Sequence, residues 1–321
     1  MRERERLLLG IDIGGTKAVV ALGHANGEIL AESRREHWTS GAWPTDLERL
    51  EAQSRELLRS AGVREDELDG LGLSAPGPLN PETGIVVEAP NLPGWRQVPV
   101  AERIGAAFGV PCRLENDANA AALAEWTFGA GQGSAHMLYL TMSTGVGGGL
   151  ILNGELYRGA HFAAGEVGHI PIVPGGRTCS CGLRGCLEAY TSGAGIAARI
   201  REDIAAGRAP GMLERAGGDP DRVSARLWVE ALRAGDAYAR ALKDDFVEHL
   251  AQGLAGLVIG LDPECIVLGT IIERNPDLFL DDLRDRVSER IWPVLRDVRI
   301  EAGALGPKLP AYAALCAAAL T

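Results

Sequence analysis

Apolar positions along this chain fall into short continuous runs separated by glycine-rich breaks, with longer stretches of helical spacing between them. Residues 7–13, LLLGIDI, read as a strand that enters a Gly-Gly turn, and residues 18–22, AVVAL, resume as a strand before HANG turns into EIL. Leu47, Leu50, Leu57 and Leu58 carry helical spacing over 45–61. Residues 71–75, LGLSA, predict a buried strand, and the breaker run PGPLNPETG follows it. The pattern then recurs: HMLYLTM at 136–142 enters STGVGGG, and LILNGEL resumes as a strand with an NG turn. Strand, glycine-rich loop and strand thus occur at 7–22 and again at 136–156, an internal duplication carried by shape rather than identity. Helices are expected over 118–128, 191–206, 224–233 and 236–260, a buried strand at ECIVLG, 264–269, and a small-residue helix at AYAALCAAAL. The alternation points to an α/β class.

Length modifies this picture: 321 residues exceed one ordinary core, so two domains are expected. The boundary is placed near residue 116, giving a small α/β domain over 1–116 and a larger one over 117–306, with the terminal helix, about 307–321, returning to the first. Composition is ordinary for a globular protein, with 46% hydrophobic and 23% charged residues, which excludes extensive disorder. A formal net charge of −11 argues against nucleic acid as a partner, because phosphate neutralisation requires Lys and Arg. It leaves room for a nucleotide in a donor-lined pocket. The start, MRERERLLLGIDIGG, lacks the apolar length and cleavage site of a signal peptide, and no stretch of about 20 apolar residues implies a membrane span. Three of the six cysteines form one tight run, while Cys112, Cys265 and Cys316 stand alone in apolar surroundings as small buried residues. That is not a disulfide framework, and a reducing, cytoplasmic compartment is expected.

Chemistry concentrates in four places. In Asp12-Ile13-Gly14-Gly15-Thr16-Lys17, glycines after a strand can turn backbone N–H groups toward a phosphate, with the Thr16 hydroxyl and Lys17 ammonium as further donors and Asp12 able to hold Mg²⁺. A plain hairpin turn is the competing account. Ser143-Thr144-Gly145-Val146-Gly147-Gly148-Gly149 is a second such loop, and the two suggest a phosphate chain held between two domains. Glu115-Asn116-Asp117 opens an Ala-rich helix. Either Asn116 or Asp117 serves as an N-cap at least; the functional reading has Asp117 take the proton of a sugar hydroxyl while Asn116 orients the sugar. Finally, His169, Cys179, Cys181 and Cys186 form a closed tetrahedral zinc set, structural because four protein ligands leave no open position. Gly182 and Gly185 allow the knuckle, and Glu166 and Glu188 flank it as hydroxyl acceptors. Ser74-Ala75-Pro76-Gly77-Pro78 and Asn91-Leu92-Pro93-Gly94-Trp95 add a rigid turn and a turn offering an amide and an aromatic.

DIGGTK, APGP, APNLPGW, ENDANAA, STGVGGG, GEVGH and CSCGLRGCLE, in this order and spacing, resemble the ROK family of repressors, open reading frames and sugar kinases, from residue 8 to about 190 and more weakly beyond. The resemblance implies an actin/hexokinase-like (ribonuclease H-like) fold of two domains with a central cleft. It implies ATP-dependent phosphorylation of a hexose with Mg²⁺, usually glucose at its 6-hydroxyl. It gives Asp117 as catalytic base and Gly77, Asn91, Asn116, Glu166, His169 and Glu188 as sugar contacts, His169 serving zinc as well. Gly14, Gly15, Thr16, Lys17, Thr144, Gly145 and Gly269 fall on the ATP side, with Asp12 near Mg²⁺. It also suggests a homodimer. Two segments depart from the family pattern: Gly269 is followed by Thr270, Ile271 and Ile272 where a second glycine is common, and LGPKLPAYAA replaces an acidic, Gly-rich stretch. A glucokinase is the leading expectation. The rivals are a kinase for mannose, fructose, N-acetylglucosamine or N-acetylmannosamine, and a non-catalytic sugar-sensing protein. Repressors of the family carry an N-terminal helix-turn-helix domain, for which DIGGTK at residue 12 leaves no room.

Overall fold

A computed structural model describes residues 5–320; the first four residues of the charged start and Thr321, the last residue of the expected returning helix, lie outside the described residues. Numbered along the chain, the elements open with β1 (Leu7–Ile13), β2 (Lys17–His24), β3 (Ile29–Glu36), α1 (Trp43–Ala61) and β4 (Gly70–Ala75). There follow β5 (Leu79–Asn80), β6 (Ile85–Glu88), β7 (Arg96–Val98), α2 (Val100–Phe108), β8 (Cys112–Asn116) and α3 (Asp117–Phe128). The middle holds β9 (Met137–Met142), β10 (Val146–Leu152), β11 (Glu155–Tyr157), α4 (Glu188–Thr191), α5 (Gly193–Ala205) and α6 (Pro210–Arg215). The remainder is α7 (Ala225–Arg233), α8 (Ala237–Leu261), β12 (Cys265–Leu268), α9 (Pro276–Ser288), β13 (Arg299–Ala302) and α10 (Leu309–Ala319). None of these helices is long and apolar enough to cross a membrane.

Two compact units emerge. One contains the described residues up to Gly133, Gly149–Gly165 and the chain from Ala304 on; the other contains Ser134–Gly148 and Glu166–Gly303. The first unit is built on a sheet ordered β3-β2-β1-β4-β8, antiparallel through β1, β2 and β3 and parallel from β1 to β4 to β8. Its central strands are apolar on both faces because both are covered. Leu7, Leu9, Ile11 and Ile13 join Ala18, Val20 and Leu22 in a core with Leu47, Leu50 and Leu58 of α1. The alternate residues Leu8, Val19 and Ala21 pack instead with Ala311, Leu315 and Ala318 of α10. That contact is close enough to dictate composition. A Cβ on Gly72 of β4 would stand 2.0 Å from the Ala318 nitrogen, and one on Gly10 of β1 would stand 2.5 Å from the Ala314 carbonyl carbon. Glycine facing alanine lets α10 lie against the strands, which is why the terminal helix is made of small residues. A small second sheet, β5-β6-β7, extends this unit.

In the second unit β12 runs parallel to both β9 and β13. β10 starts beside this sheet and passes into the first unit at Gly149, where its end pairs antiparallel with β11. Trp228 of α7, Phe246 of α8 and Phe279 of α9 are buried and meet ring to ring at 5.4–5.6 Å between centroids, so one aromatic cluster ties three helices together. Of the lone cysteines, Cys265 and Cys316 are buried, as expected, while Cys112 is only partly covered.

Candidate active site

In the first unit, the Gly-Gly turn closes when the Gly14 N–H donates to the Lys17 carbonyl at 2.9 Å, leaving Thr16 exposed at its tip. Asp12, one residue before the end of β1, accepts a 2.7 Å hydrogen bond from the Ser74 hydroxyl of neighbouring β4. Burial pushes its carboxyl up to about 6, against the opposing pull of Ser74 and Lys17. A cation at this position would stabilise the ionised form. Gly15 is fixed by a neighbour: a Cβ there would stand 2.7 Å from the Asn91 carbonyl oxygen, so any side chain would push the turn off the Asn91 loop. In that loop Asn91 is exposed, but Trp95 is 2% exposed and donates its indole N–H to Asp46 at 3.0 Å. The aromatic of this turn is therefore a buried support, while its amide is exposed.

The start of α3 separates the roles of its two polar residues. Asn116 is the N-cap: its Oδ1 accepts from the N–H groups of Ala118 at 3.0 Å and Asn119 at 3.2 Å. Its Nδ2 faces the APGP turn, 3.3 Å from where a Cβ of Gly77 would lie. Asp117 is the first helical residue and is exposed, with Oδ1 accepting from the Ala118 N–H at 2.8 Å. An exposed carboxylate here is able to accept a proton from a ligand hydroxyl. Sequence reasoning passed over what lies beneath. Glu115 is 1% exposed and receives Nε at 2.8 Å and Nη2 at 2.7 Å from Arg158, as well as Asn119 Nδ2 at 3.0 Å. This two-pronged pair holds the strand end from which Asn116 and Asp117 project. The sequence leaves no trace of it, because strand alternation puts Glu115 on the same face as the exposed Arg113.

In the second unit, one ligand atom each from His169, Cys179, Cys181 and Cys186 lies within 4.8 Å of the other three. Cys181 Sγ and Cys186 Sγ are 3.8 Å apart, and Cys179 Sγ lies 3.7 Å from His169 Nδ1. A tetrahedron with Zn–S bonds of about 2.3 Å has S···S edges of about 3.8 Å, so the donor set fits zinc in both chemistry and size. Burial raises the thiols of Cys179 and Cys186, whereas the Leu183 backbone leads the lowering at Cys181. Three such thiols become thiolates together when a cation neutralises them. Gly182 and Gly185 have φ of +87° and +81°, and a Cβ on Gly185 would clash with the Val173 carbonyl, so the knuckle requires glycine. With Nδ1 directed at the sulfurs, His169 Nε2 turns toward Glu166 Oε2 at 4.0 Å, and Glu166 is exposed.

Glu188 joins this knuckle to the second glycine-rich loop. Its Oε1 accepts from the Ser180 hydroxyl at 2.7 Å, and its Oε2 accepts from the Val146 N–H at 2.9 Å. A Cβ on Gly145 would stand 2.6 Å from that Oε2, and one on Gly168 would meet the Val146 carbonyl at 2.2 Å. Close approach by neighbouring groups thus accounts for Gly145, while Ser143 and Thr144 remain exposed at the loop tip. The loop carbonyls of Ser143 and Thr144 accept from the N–H groups of Gly193 and Ala194 at the start of α5. Beside them opens a cavity of about 620 Å³, lined among others by Thr144, Ala194, Ser224, Thr270, Ile271 and Arg274. Of the residues singled out in the sequence, Thr144 and Thr270 line this cavity; its α5, Ser224 and Arg274 walls were not among them. Gly269 is buried against the Tyr139 ring and does not line it, whereas Thr270 does. Thr270 has φ +51°, a left-handed conformation in which glycine is the easy residue. It is held there by its N–H donating to Glu273 Oε2 at 2.9 Å and by a 2.9 Å bond between its hydroxyl and that of Thr141.

The ROK family profile matches residues 8–312. A glucokinase of Thermotoga maritima is 34% identical over 286 residues, 89% of this chain and 88% of that protein. A ROK family glucokinase from Streptomyces griseus, solved in complex with glucose and AMPPNP, superposes with a TM-score of 0.82 at 30% identity, covering 98% of this chain and all of that one. A putative xylose repressor of a Caldicellulosiruptor species is 31% identical over 93% of this chain and 74% of its own length.

Proposed function

The chain belongs to the ROK family and has its actin/hexokinase-like α/β fold, and from that premise we propose that it is an ATP-dependent hexose kinase whose preferred acceptor is glucose. The observation that carries this reading is the division of labour at the start of α3, where Asn116 caps the helix and leaves Asp117 exposed as a proton acceptor. In the reaction, the sugar 6-hydroxyl oxygen bonds to the γ-phosphorus as the bond to the β–γ bridging oxygen breaks. Asp117 accepts the hydroxyl proton and ADP departs. Asn116, Asn91 and Gly77 orient the sugar, as do Glu166, His169 and Glu188. The turn at Gly14, Gly15 and Thr16, with Lys17, binds phosphate oxygens, as do Thr144 and Gly145, and the cavity beside Thr144 receives the nucleoside. Asp12 is the residue that would hold Mg²⁺, which supplies charge neutralisation on the phosphates. Zinc on His169 and the three cysteines would fix the His169 ring and brace Glu188 through Ser180.

The test is release of ADP from Mg-ATP with a panel of glucose, mannose, fructose, N-acetylglucosamine and N-acetylmannosamine. Glucose is expected to lead. Asp117→Ala should keep glucose binding and lose roughly two to four decades of turnover, the ordinary contribution of a general base. Near-normal turnover in Asp117→Ala would remove the base from the mechanism, and preference for an N-acetyl sugar would move the substrate assignment within the same chemistry. No turnover with any sugar, accompanied by intact sugar binding, would favour a sensing role like that named for the repressor relative.

A further inference from the structure

Deep in the first unit, a small polar network links two segments that the functional reading assigns to different ligands. Trp38 is 1% exposed, and its indole N–H donates to the Gly14 carbonyl at 2.8 Å, inside the first glycine turn. The next turn bond comes from the same strap, where the His37 N–H donates to the Thr16 carbonyl at 2.8 Å. The Trp38 ring stands edge-on to Trp95, with centroids 6.0 Å apart and planes at 81°. Trp95 closes the Asn91 loop: its N–H donates to Leu92, and its carbonyl accepts from Ala89. One buried acid joins the Trp95 indole to the residues that follow Trp38. Asp46, 0% exposed at the start of α1, accepts the Trp95 indole N–H at 3.0 Å, the Thr39 hydroxyl at 2.9 Å and the Ser40 hydroxyl at 2.8 Å, and the Ser40 backbone N–H as well. The strap is further pinned by Arg49 Nη1, which donates to the Trp38 carbonyl at 2.7 Å. Gly94 fits the Asn91 loop onto this strap, since a Cβ there would stand 2.4 Å from the Gly41 carbonyl oxygen. The two outer ends also touch, Gly15 lying against the Asn91 carbonyl.

We propose that Trp38, Trp95 and Asp46 are positioning residues that set the Gly14–Thr16 turn and the Asn91 loop from one buried anchor, Trp38 acting on the phosphate turn, Trp95 on the sugar loop and Asp46 on both. The inference rests on the functional reading above, which assigns those two segments to phosphate and sugar. Three features separate this network from ordinary core packing. A buried carboxylate is costly unless its acceptor sites are filled, and here they are filled by the strap and the loop rather than by a lysine or arginine. Each indole supplies one directed hydrogen bond to a different segment. The turn carbonyl that Trp38 takes belongs to Gly14, so losing the indole bond removes one support of the turn while the Gly14–Lys17 and His37–Thr16 backbone bonds and the sheet stay in place. Burial would raise the Asp46 carboxyl, yet the hydrogen bonds from Trp95, Ser40 and Thr39 prevail and hold it below the usual carboxylate range.

The experiment measures glucose and Mg-AMPPNP affinities by calorimetry, and turnover with both substrates, for the full chain and for Trp38→Phe, Trp95→Phe and Asp46→Asn. Phenylalanine keeps an aromatic ring and removes the N–H. One net hydrogen bond is worth roughly fivefold in an equilibrium. Trp38→Phe is expected to weaken Mg-AMPPNP by about that factor with glucose unchanged. Trp95→Phe should weaken glucose with the nucleotide unchanged, and Asp46→Asn should weaken both. A structural role alone would lower the active fraction and leave both affinities in that fraction as they were. That result overturns the inference, as does Trp38→Phe weakening both ligands equally. Should Asp46→Asn fail to fold, the opposite responses of the two tryptophan variants still decide the matter. Wild-type protein that binds both ligands but transfers no phosphate would sink the kinase reading and leave this inference standing on the binding data; wild-type protein that binds neither would overturn both.

Discussion

Single side chains carry two distinct loads in this protein, and their mutational signatures should differ. Cys181 is the exposed member of the proposed zinc set, so Cys181→Ser should change little in packing and much in metal content. Metal analysis is expected to show loss of bound zinc, and glucose affinity should fall with it, because Glu188 and His169 lose their support. Full sugar affinity in a zinc-free variant would break that link. Asp203 bears a structural load. It is 2% exposed and takes Arg199 Nε at 2.7 Å, Arg208 Nη2 and the Tyr238 hydroxyl at 2.8 Å. Burial alone would raise its carboxyl, but these three donors prevail and lower it. A carboxyl lowered by folding stabilises fully above its unfolded value near pH 4, and that stabilisation disappears as pH falls through the lower folded value. Asp203→Asn should therefore cost about 1–3 kcal/mol at pH 7, with arginine exposure keeping the figure modest. The gap between variant and wild type should narrow in denaturant titrations below pH 4. Thr270 gives a third, nearly silent outcome. Glycine would relieve about 1 kcal/mol of left-handed strain and lose about 1 kcal/mol of hydroxyl hydrogen bond, so Thr270→Gly should unfold at nearly the wild-type denaturant midpoint.

At the scale of elements, legibility followed burial. LLLGIDI was readable as a strand because both of its faces are covered, and the leucine spacing of α1 because one of its faces is. Helices were likewise expected over the stretches that form α3, α7 and α8. By contrast β5, β6 and β7 have two to four residues each and half-exposed patterns, too short for any period to register. α9 was missed because its charged residues sit among the apolar ones in PDLFLDDLRDRVS, and only Phe279, Leu280, Leu283 and Val287 turn inward. The clustering of His169 with the three cysteines and the N-cap of α3 were legible because few residue types serve such positions. The candidate site was illegible wherever support comes from common residues far apart in sequence, such as Glu115 with Arg158, 43 residues away. The glycines of the sheet yield a prediction at this same scale. Gly72→Ala places a methyl 2.0 Å from the backbone of α10, which cannot yield as a side-chain tip would. It should cost at least 1–3 kcal/mol, the usual overpacking penalty, read as a lower melting temperature. Gly256 on α8, with nothing within 4 Å of its added Cβ, is the control and should gain slightly from alanine.

For the whole molecule, the two units should answer differently to loss of metal. All four candidate zinc ligands lie in the second unit, and so do the loop that Glu188 holds and the 620 Å³ cavity. Treatment with a chelator is expected to expose amide hydrogens over 166–191 to rapid exchange while β1, β4 and α10 keep their protection. Equal loss across both units would show that the metal supports more than its own knuckle. The order in which the chain is made bears on these units as well. Residues 166–303 form one uninterrupted stretch, and it can condense as soon as it leaves the ribosome. The first unit cannot, although β1 to β4 emerge first, because the helix that covers Gly10 and Gly72 is encoded some 240 residues or more downstream. At ordinary elongation rates of about 5–20 residues per second, one face of that sheet waits bare for roughly 12 seconds or longer. Nascent chains should therefore engage a holding chaperone early and release it only when α10 arrives.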